Sequence, residues 1–299
     1  MKRKTYIRTA LLISALALAS CDDMELSERV VVGSTNQYER VFETSEITVD
    51  GETFTIDDEH KMLIIDFTGQ LCINCPTVAE FLTTKITPVY PSILVSMHMT
   101  TNSFSQNHID GYNCASADSI ANWIYGSNVA SNLPLPSVSI DNVEYNGNVL
   151  SSNVTDLENL AVDRFKAYNV DKTVTSPVIS LNVEDLGNGK YDISTLLMCP
   201  EGRGMCDLRL WLIEEDLVST LQASTTGYIM GYENHGIMRE VINGHYMGQR
   251  VQLSHEGQAV VHNTLDISGK PYKPENLYVV GLVTSSDNKV IMNSNKVKL

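Results

Sequence analysis

Positive charge is scarce in this chain. Its 299 residues carry 21 Lys and Arg against 36 Asp and Glu, a formal charge of −15. Such a surface repels nucleic acid and anionic lipid headgroups and favours solubility, so a DNA or RNA role is disfavoured. Long apolar runs are missing too: past the first twenty residues, no stretch approaches the ~20 apolar residues of a spanning helix. There is no Gly-x-Ser-x-Gly elbow and no Walker pattern, and Tyr145 to Val149 (YNGNV) lacks the glycine spacing of a phosphate loop. One Cys-x-x-Cys is present, with no second pair and no His-x-x-x-His, so a closed zinc site lacks ligands. Neither a metal nor a cofactor is expected. Repeats and low-complexity tracts are absent as well.

What is present begins at the N-terminus. Lys2, Arg3, Lys4 and Arg8 precede an uncharged run from Thr9 to Ser20, the pattern of a secretory signal over residues 1–20. Leu18-Ala19-Ser20-Cys21 resembles a bacterial lipobox. That resemblance implies cleavage before Cys21 and acylation of its thiol and amino group, tethering the chain to a lipid bilayer. Several acyl chains on one residue hold stably where one is marginal. An ordinary secretory signal with a chance cysteine is the alternative. Cleavage removes four basic residues and no acid, leaving 17 basic against 36 acidic residues, or −19. Residues 21–37, opening with Asp22-Asp23, read as a polar tether, and the remaining length suits two domains of ordinary size.

Six cysteines in an exported chain invite disulfide pairing. With Cys21 assigned to lipid, Cys72 and Cys75 are the evident pair. Cys199 and Cys206 flank a turn-rich Pro-Glu-Gly-Arg-Gly-Met loop between two strand-like runs, and read as a structural disulfide stapling a hairpin. Cys114 is left over and is expected as a buried thiol.

Periodicity divides the chain. Residues 45–56 (SEITVDGETFTI) alternate about Asp50-Gly51, a two-residue hairpin signal. MLIIDF (62–67) reads as a strand buried on both faces. Pro76 suits the first turn of a following helix, with Val78, Phe81 and Leu82 inward. A second strand (92–99), a short helix carrying Ile120, Trp123 and Ile124 and closed by Gly126, and a third strand after Pro136 follow. A Tyr-Asn-Gly-Asn turn then predicts a fourth strand. Thr155 and Glu158 form a capping box for a last helix, with Leu157, Ala161 and Phe165 inward. From Ser176 onward the pattern is all strands, predicting an antiparallel sandwich, immunoglobulin-like in the loose sense.

The cysteine pair is the candidate centre. A helix N-terminus lowers a thiol's pKa, and two intervening residues bring the second sulfur into bonding reach. Cys72 is therefore the candidate nucleophile and Cys75 the resolving thiol. At these residues the sequence resembles the thioredoxin fold, which carries a buried aspartate six residues before the first cysteine, followed by an aromatic. Asp66 and Phe67 stand there. The resemblance implies a proton-accepting role for Asp66 and a cis-proline opposite the pair, for which Pro136 is the candidate ahead of Pro134. The chain departs from thioredoxins with Leu71 before the pair and Ile73-Asn74 within it, positions that tune reduction potential. A disulfide that merely pins the loop is the competing reading, although short loops contribute little through chain entropy.

A more specific resemblance covers the whole mature chain. Thr68, Gly69, Gln70, Cys72, Asn74, Cys75 and Pro76 match the Thr-Gly-Gln-x-Cys-x-Asn-Cys-Pro segment of the Omp-twenty-eight-related lipoproteins of Gram-negative anaerobes. Trp211, Glu214, Glu215, Asn234, His235, Arg239, Asn243, Gly244 and Gly248 match a second segment. The resemblance implies a thioredoxin-like domain (38–172), a C-terminal β-sandwich (175–299), and an outer-membrane address, periplasmic or surface-facing. His235 and Arg239 read as loop locks rather than ligands. Two functions stay open. One is thiol–disulfide exchange on exported thiol proteins through Cys72, Cys75, Asp66 and Pro136. The other is binding of surface ligands by an adhesin-type protein that uses the fold as scaffold.

Overall fold

The computed structural model describes residues 29–32, 40–199, 204–284 and 289–299. The expected signal peptide and Cys21 lie outside the described residues. Within the stretch expected as a tether, Arg29–Val32 form β1 and pair with β2 (Arg40–Val49). A two-residue turn joins β2 to β3 (Glu52–Asp57). Asp50 and Gly51 adopt positive φ, 53° and 89°, the handedness that lets a short turn follow strand twist.

β4 (Met62–Thr68) is buried along its whole length. It runs into α1 (Cys75–Phe81), which continues as a π turn over 82–86. β5 (Ser92–His98) then pairs parallel to β4. After α2 (Ala115–Tyr125), closed by Gly126, and α3 (Val129–Asn132), β6 (Ser137–Ile140) pairs antiparallel to β4. The expected fourth strand does not form. The chain turns back at Tyr145–Asn148 and touches β6 through one bridge, Val138 to Ser151. α4 (Val154–Phe165) is capped by Asn153, whose side chain accepts from the N–H groups of Thr155 and Asp156. Asn153 supplies the acceptor that a capping box would place on Thr155, so the helix starts earlier than expected.

The second half forms β7 (Val178–Gly187), β8 (Lys190–Met198), β9 (Met205–Glu214), β10 (Leu217–Ser224), β11 (Gly227–Asn234), β12 (Ile237–Val241), β13 (Gln249–Gln252), β14 (Gln258–Asp266), β15 (Leu277–Thr284) and β16 (Ile291–Lys298). These do not build a self-contained sandwich. β14, β8 and β7 form one sheet, while the other continues from C-terminal into N-terminal strands in the order β16-β15-β9-β12-β5-β4-β6, with β13 on β9. The seam is β12 beside β5, where the Ser96 N–H donates to the Gly236 carbonyl at 2.8 Å. The boundary expected at 172–175 therefore does not separate two sheets. Leu63, Val95 and Ile120 share a core with Trp211, Met238 and Val280.

β8 and β9 also part from expectation: they lie in different sheets rather than in a hairpin. Cys199, just past β8, and Cys206, on β9, are both buried in the second core. A buried ionic node ties the halves elsewhere. Asp141 Oδ2 accepts from His60 Nε2 at 2.9 Å and from Arg164 Nε and Nη2 at 2.9 and 2.8 Å, and the Asp141 carbonyl accepts the Ile291 N–H. Burial pushes the Asp141 carboxyl up, but His60 and Arg164 outweigh it and hold it below the usual range.

Candidate functional site

The site lies at the carboxyl ends of the parallel strands β4 and β5. Gly69, just past β4, allows the turn to close against the 104 carbonyl: a Cβ there would stand 2.6 Å from the Phe104 oxygen. The same carbonyl accepts the Leu71 N–H at 2.9 Å. Cys72 sits in this turn and Cys75 is the first residue of α1, with Cα atoms 5.4 Å apart and the disulfide formed. Of the two, only Cys75 belongs to the helix, and both side chains are buried at 2% and 1% exposure. Between and before them, Ile73 and Leu71 are exposed.

Asp66 stands on β4, buried, with Oδ1 lacking any hydrogen-bond partner. Burial pushes its carboxyl up to about 7. Pro136 opens the approach to β6 behind a cis Leu135–Pro136 bond, so the cis position falls on Pro136 and not on Pro134. A groove of ≈ 690 Å³ runs beside it, lined by Asn74, Thr77, Val78, Leu135, Pro136 and Val154 among others. The structure thus brings the two cysteines and Asp66 to the ends of β4, and sets Pro136 with Asn74 in one groove. Cys114 is a free thiol at the start of α2, pushed up to about 11 by burial.

What the sequence reading missed is the cover. β10 and β11 form a two-stranded sheet of their own, and β10 crosses the cysteine loop. Gln222 Nε2 donates to the carbonyls of Gly69 (3.0 Å) and Cys72 (3.2 Å). The Ala223 N–H donates to the Gln70 carbonyl at 2.8 Å, and Gln70 Nε2 returns a bond to the Leu221 carbonyl at 2.8 Å. Thr220 donates from its N–H and hydroxyl to the Asp110 carboxylate, at 2.9 and 2.5 Å. Tyr112 donates its hydroxyl to the Val218 carbonyl at 3.0 Å. From β11, burial pushes Tyr232 up to about 12, with the Asp66 and Glu80 charges adding to it.

The second motif locks the base of this hairpin. Asn234 Nδ2 donates to Ser219 Oγ at 2.7 Å, Glu215 accepts the Gly236 N–H at 2.8 Å, and Arg239 Nε pairs with Glu214 at 2.7 Å. Asn243 accepts from the Leu210 N–H and donates to the Leu208 carbonyl. His235 is exposed. Below the hairpin, His98 and His108 meet edge to face at 5.0 Å, and burial pushes them down to about 3 and about 4. Among the described residues no cluster of three or more His, Cys, Asp or Glu is placed to hold a metal, and no helix is long and apolar enough to cross a membrane.

No protein-family model matches the chain, and no curated protein matches it. Among solved structures the chain is similar to HBP35 of Porphyromonas gingivalis, with a TM-score of 0.61 and 13% identity over 81% of this chain and 76% of that one. The likeness is one of fold. A domain of the outer membrane lipoprotein Omp28 from Porphyromonas gingivalis aligns over 42% of this chain and 89% of its own length, 17% identical, at a TM-score of 0.29. A score that low carries no argument.

Proposed function

We propose that this protein is a lipid-anchored outer-membrane protein that carries out thiol–disulfide exchange on exported proteins through a thioredoxin-like layer. The observation that carries the reading is Asp66. A buried carboxyl with an oxygen unpartnered costs stability and holds nothing in place. A carboxyl near pKa 7 on the strand that leads into the cysteine loop suits proton transfer at neutral pH. The cis bond before Pro136 and the groove it shares with Asn74 support the same reading.

In this reading a substrate thiolate attacks the Cys72 sulfur. The Cys72–Cys75 bond breaks, its electron pair passes to the Cys75 sulfur, and Asp66 gives that sulfur a proton. A second substrate thiolate then attacks the mixed disulfide. Cys72 leaves as a thiolate, and the substrate carries away a new disulfide. The test is the redox equilibrium of the pair in glutathione buffers of graded potential, with Cys114→Ser as background and trapped thiols counted by mass spectrometry. A reversible transition in the range of known oxidoreductases, with Cys72 the more reactive thiol, is expected. A pair that stays oxidised until the protein unfolds would sink the proposal.

That second outcome belongs to the other reading, an adhesin-type surface protein in which the pair only staples its loop. The burial of both sulfurs favours it. Anchoring has its own check: fatty-acid label should enter the wild-type protein and not Cys21→Ser.

A further inference from the structure

Attack on a disulfide needs a path to one sulfur, and here both cysteines are covered. Resting on the exchange reading above, we propose that the β10–β11 hairpin, Leu217 to Asn234, is a cover that opens to admit substrate and closes to shut the disulfide off. How it is held supports this. Its fully buried apolar side chains are Leu217, at the base, and Ala223, with Leu221 and Tyr232 half-buried, while Val218, Tyr228, Ile229 and Met230 are exposed. What clasps it to the loop is polar: Gln222 on the Gly69 and Cys72 carbonyls, Gln70 on the Leu221 carbonyl, and Thr220 on Asp110. Water replaces such bonds at small net cost, whereas an apolar interface must be exposed to part.

Among the described residues the hairpin also pairs with no third strand, and an isolated two-stranded ribbon is marginal on its own. Its base is tied by Asn234 to Ser219 and by Glu215 to the Gly236 N–H. Separation therefore begins at the Thr225-Thr226 tip and runs towards the base. A permanent structural wall would invert this pattern, with large apolar residues inward and polar ones outward. Gln222 is the positioning residue of the closed state, because its amide touches the carbonyl of Cys72 itself.

The experiment times reduction of Cys72–Cys75 by dithiothreitol in the purified protein, with thiols trapped by a maleimide and counted by mass spectrometry. Wild type is compared with Gln222→Ala and with Thr220→Val, which keeps the fold of the loop and loses only the hydroxyl bond to Asp110. Both variants should be reduced faster, Gln222→Ala by about tenfold, with thermal midpoints lowered by no more than a few degrees. Hydrogen exchange on the oxidised wild type should show the Ala223 amide opening well before those of β4 and β9. Equal reduction rates in all three proteins, or exchange at Ala223 as slow as in β4, would overturn the cover. So would a wild-type protein that is reduced no faster than it unfolds globally. The glutathione equilibrium separates the two ideas: a reversible pair with variant-independent rates removes the cover alone, and an irreversible pair removes the exchange reading.

Discussion

Asp66 is where one residue's chemistry and the protein's stability pull against each other. Its folded value of about 7 stands above the ordinary aspartate value of 3.8. Between these values the folded state holds a proton that the unfolded state has lost, so stability falls as pH rises from about 4 to 7. The shift corresponds to an upper bound on the order of 4 kcal/mol. His98 and His108 act oppositely: held neutral below their ordinary value, they remove stability as pH falls below about 6.5. The readout is thus a difference. Urea unfolding of Asp66→Asn and wild type at pH 5 and pH 8 should show the variant gaining on wild type with pH, by roughly 2–4 kcal/mol. In single-turnover exchange the same variant should slow release of Cys75 most at neutral pH. A constant gap between the two unfolding curves would mean that Asp66 is ionised and partnered. Cys72 and Cys75 were legible in the sequence because their relation is local, three residues apart, whereas Asp66 and Pro136 were singled out through the resemblance to the thioredoxin fold and stand in the structure as a buried carboxyl and a cis-proline. The burial of Cys72 was not legible, because the residue that touches its carbonyl, Gln222, lies 150 positions away.

Elements were legible where local pattern and tertiary setting agree. The β2–β3 turn announces itself through Asp50-Gly51, and β4 through seven buried positions in a row. The β10–β11 hairpin had no such signal. Its turn is Thr225-Thr226, without the Asn-Gly or Asp-Gly expected of a tight turn, and β11 exposes nearly every side chain, so no face alternates. The join between β12 and β5 was equally invisible, since it pairs Ile237 with Ser96, two residues far apart in the chain. That join depends on one residue. Gly236 has φ +59°, and a Cβ there would sit 2.2 Å from the Leu94 carbonyl oxygen. Gly236→Ala combines a left-handed alanine with a backbone clash that no side chain can relieve, and should cost on the order of 3 kcal/mol. Denaturant titration reads the loss, and retained stability would mean that β12 does not sit against β5 as described.

For the whole molecule, the decisive fact is that one sheet contains strands from both halves. The sequence divides into an α/β part and an all-β part, and that division is real as a pattern. One core crosses it, because Leu63 and Val95 bury their side chains against Trp211, Met238 and Val280. The Asp141 node adds a second tie, with Arg164 and His60 on one side and the Ile291 N–H on the other. Asp141→Asn leaves Arg164 short of its buried partner and should cost about 3–5 kcal/mol. The stabilisation is lost as pH falls, since the carboxyl is held below its ordinary value. Calorimetry should then show one cooperative transition for the described body rather than two. A fragment spanning 40–175 tests the point directly. It would expose the β5 edge that β12 covers and the apolar face that Trp211 and Val280 fill. It should be insoluble or lack a cooperative melt, and co-expression with 176–299 should restore solubility. If the fragment melts sharply on its own, near the full chain's midpoint, the shared sheet is an appendage and the first half is a domain in its own right.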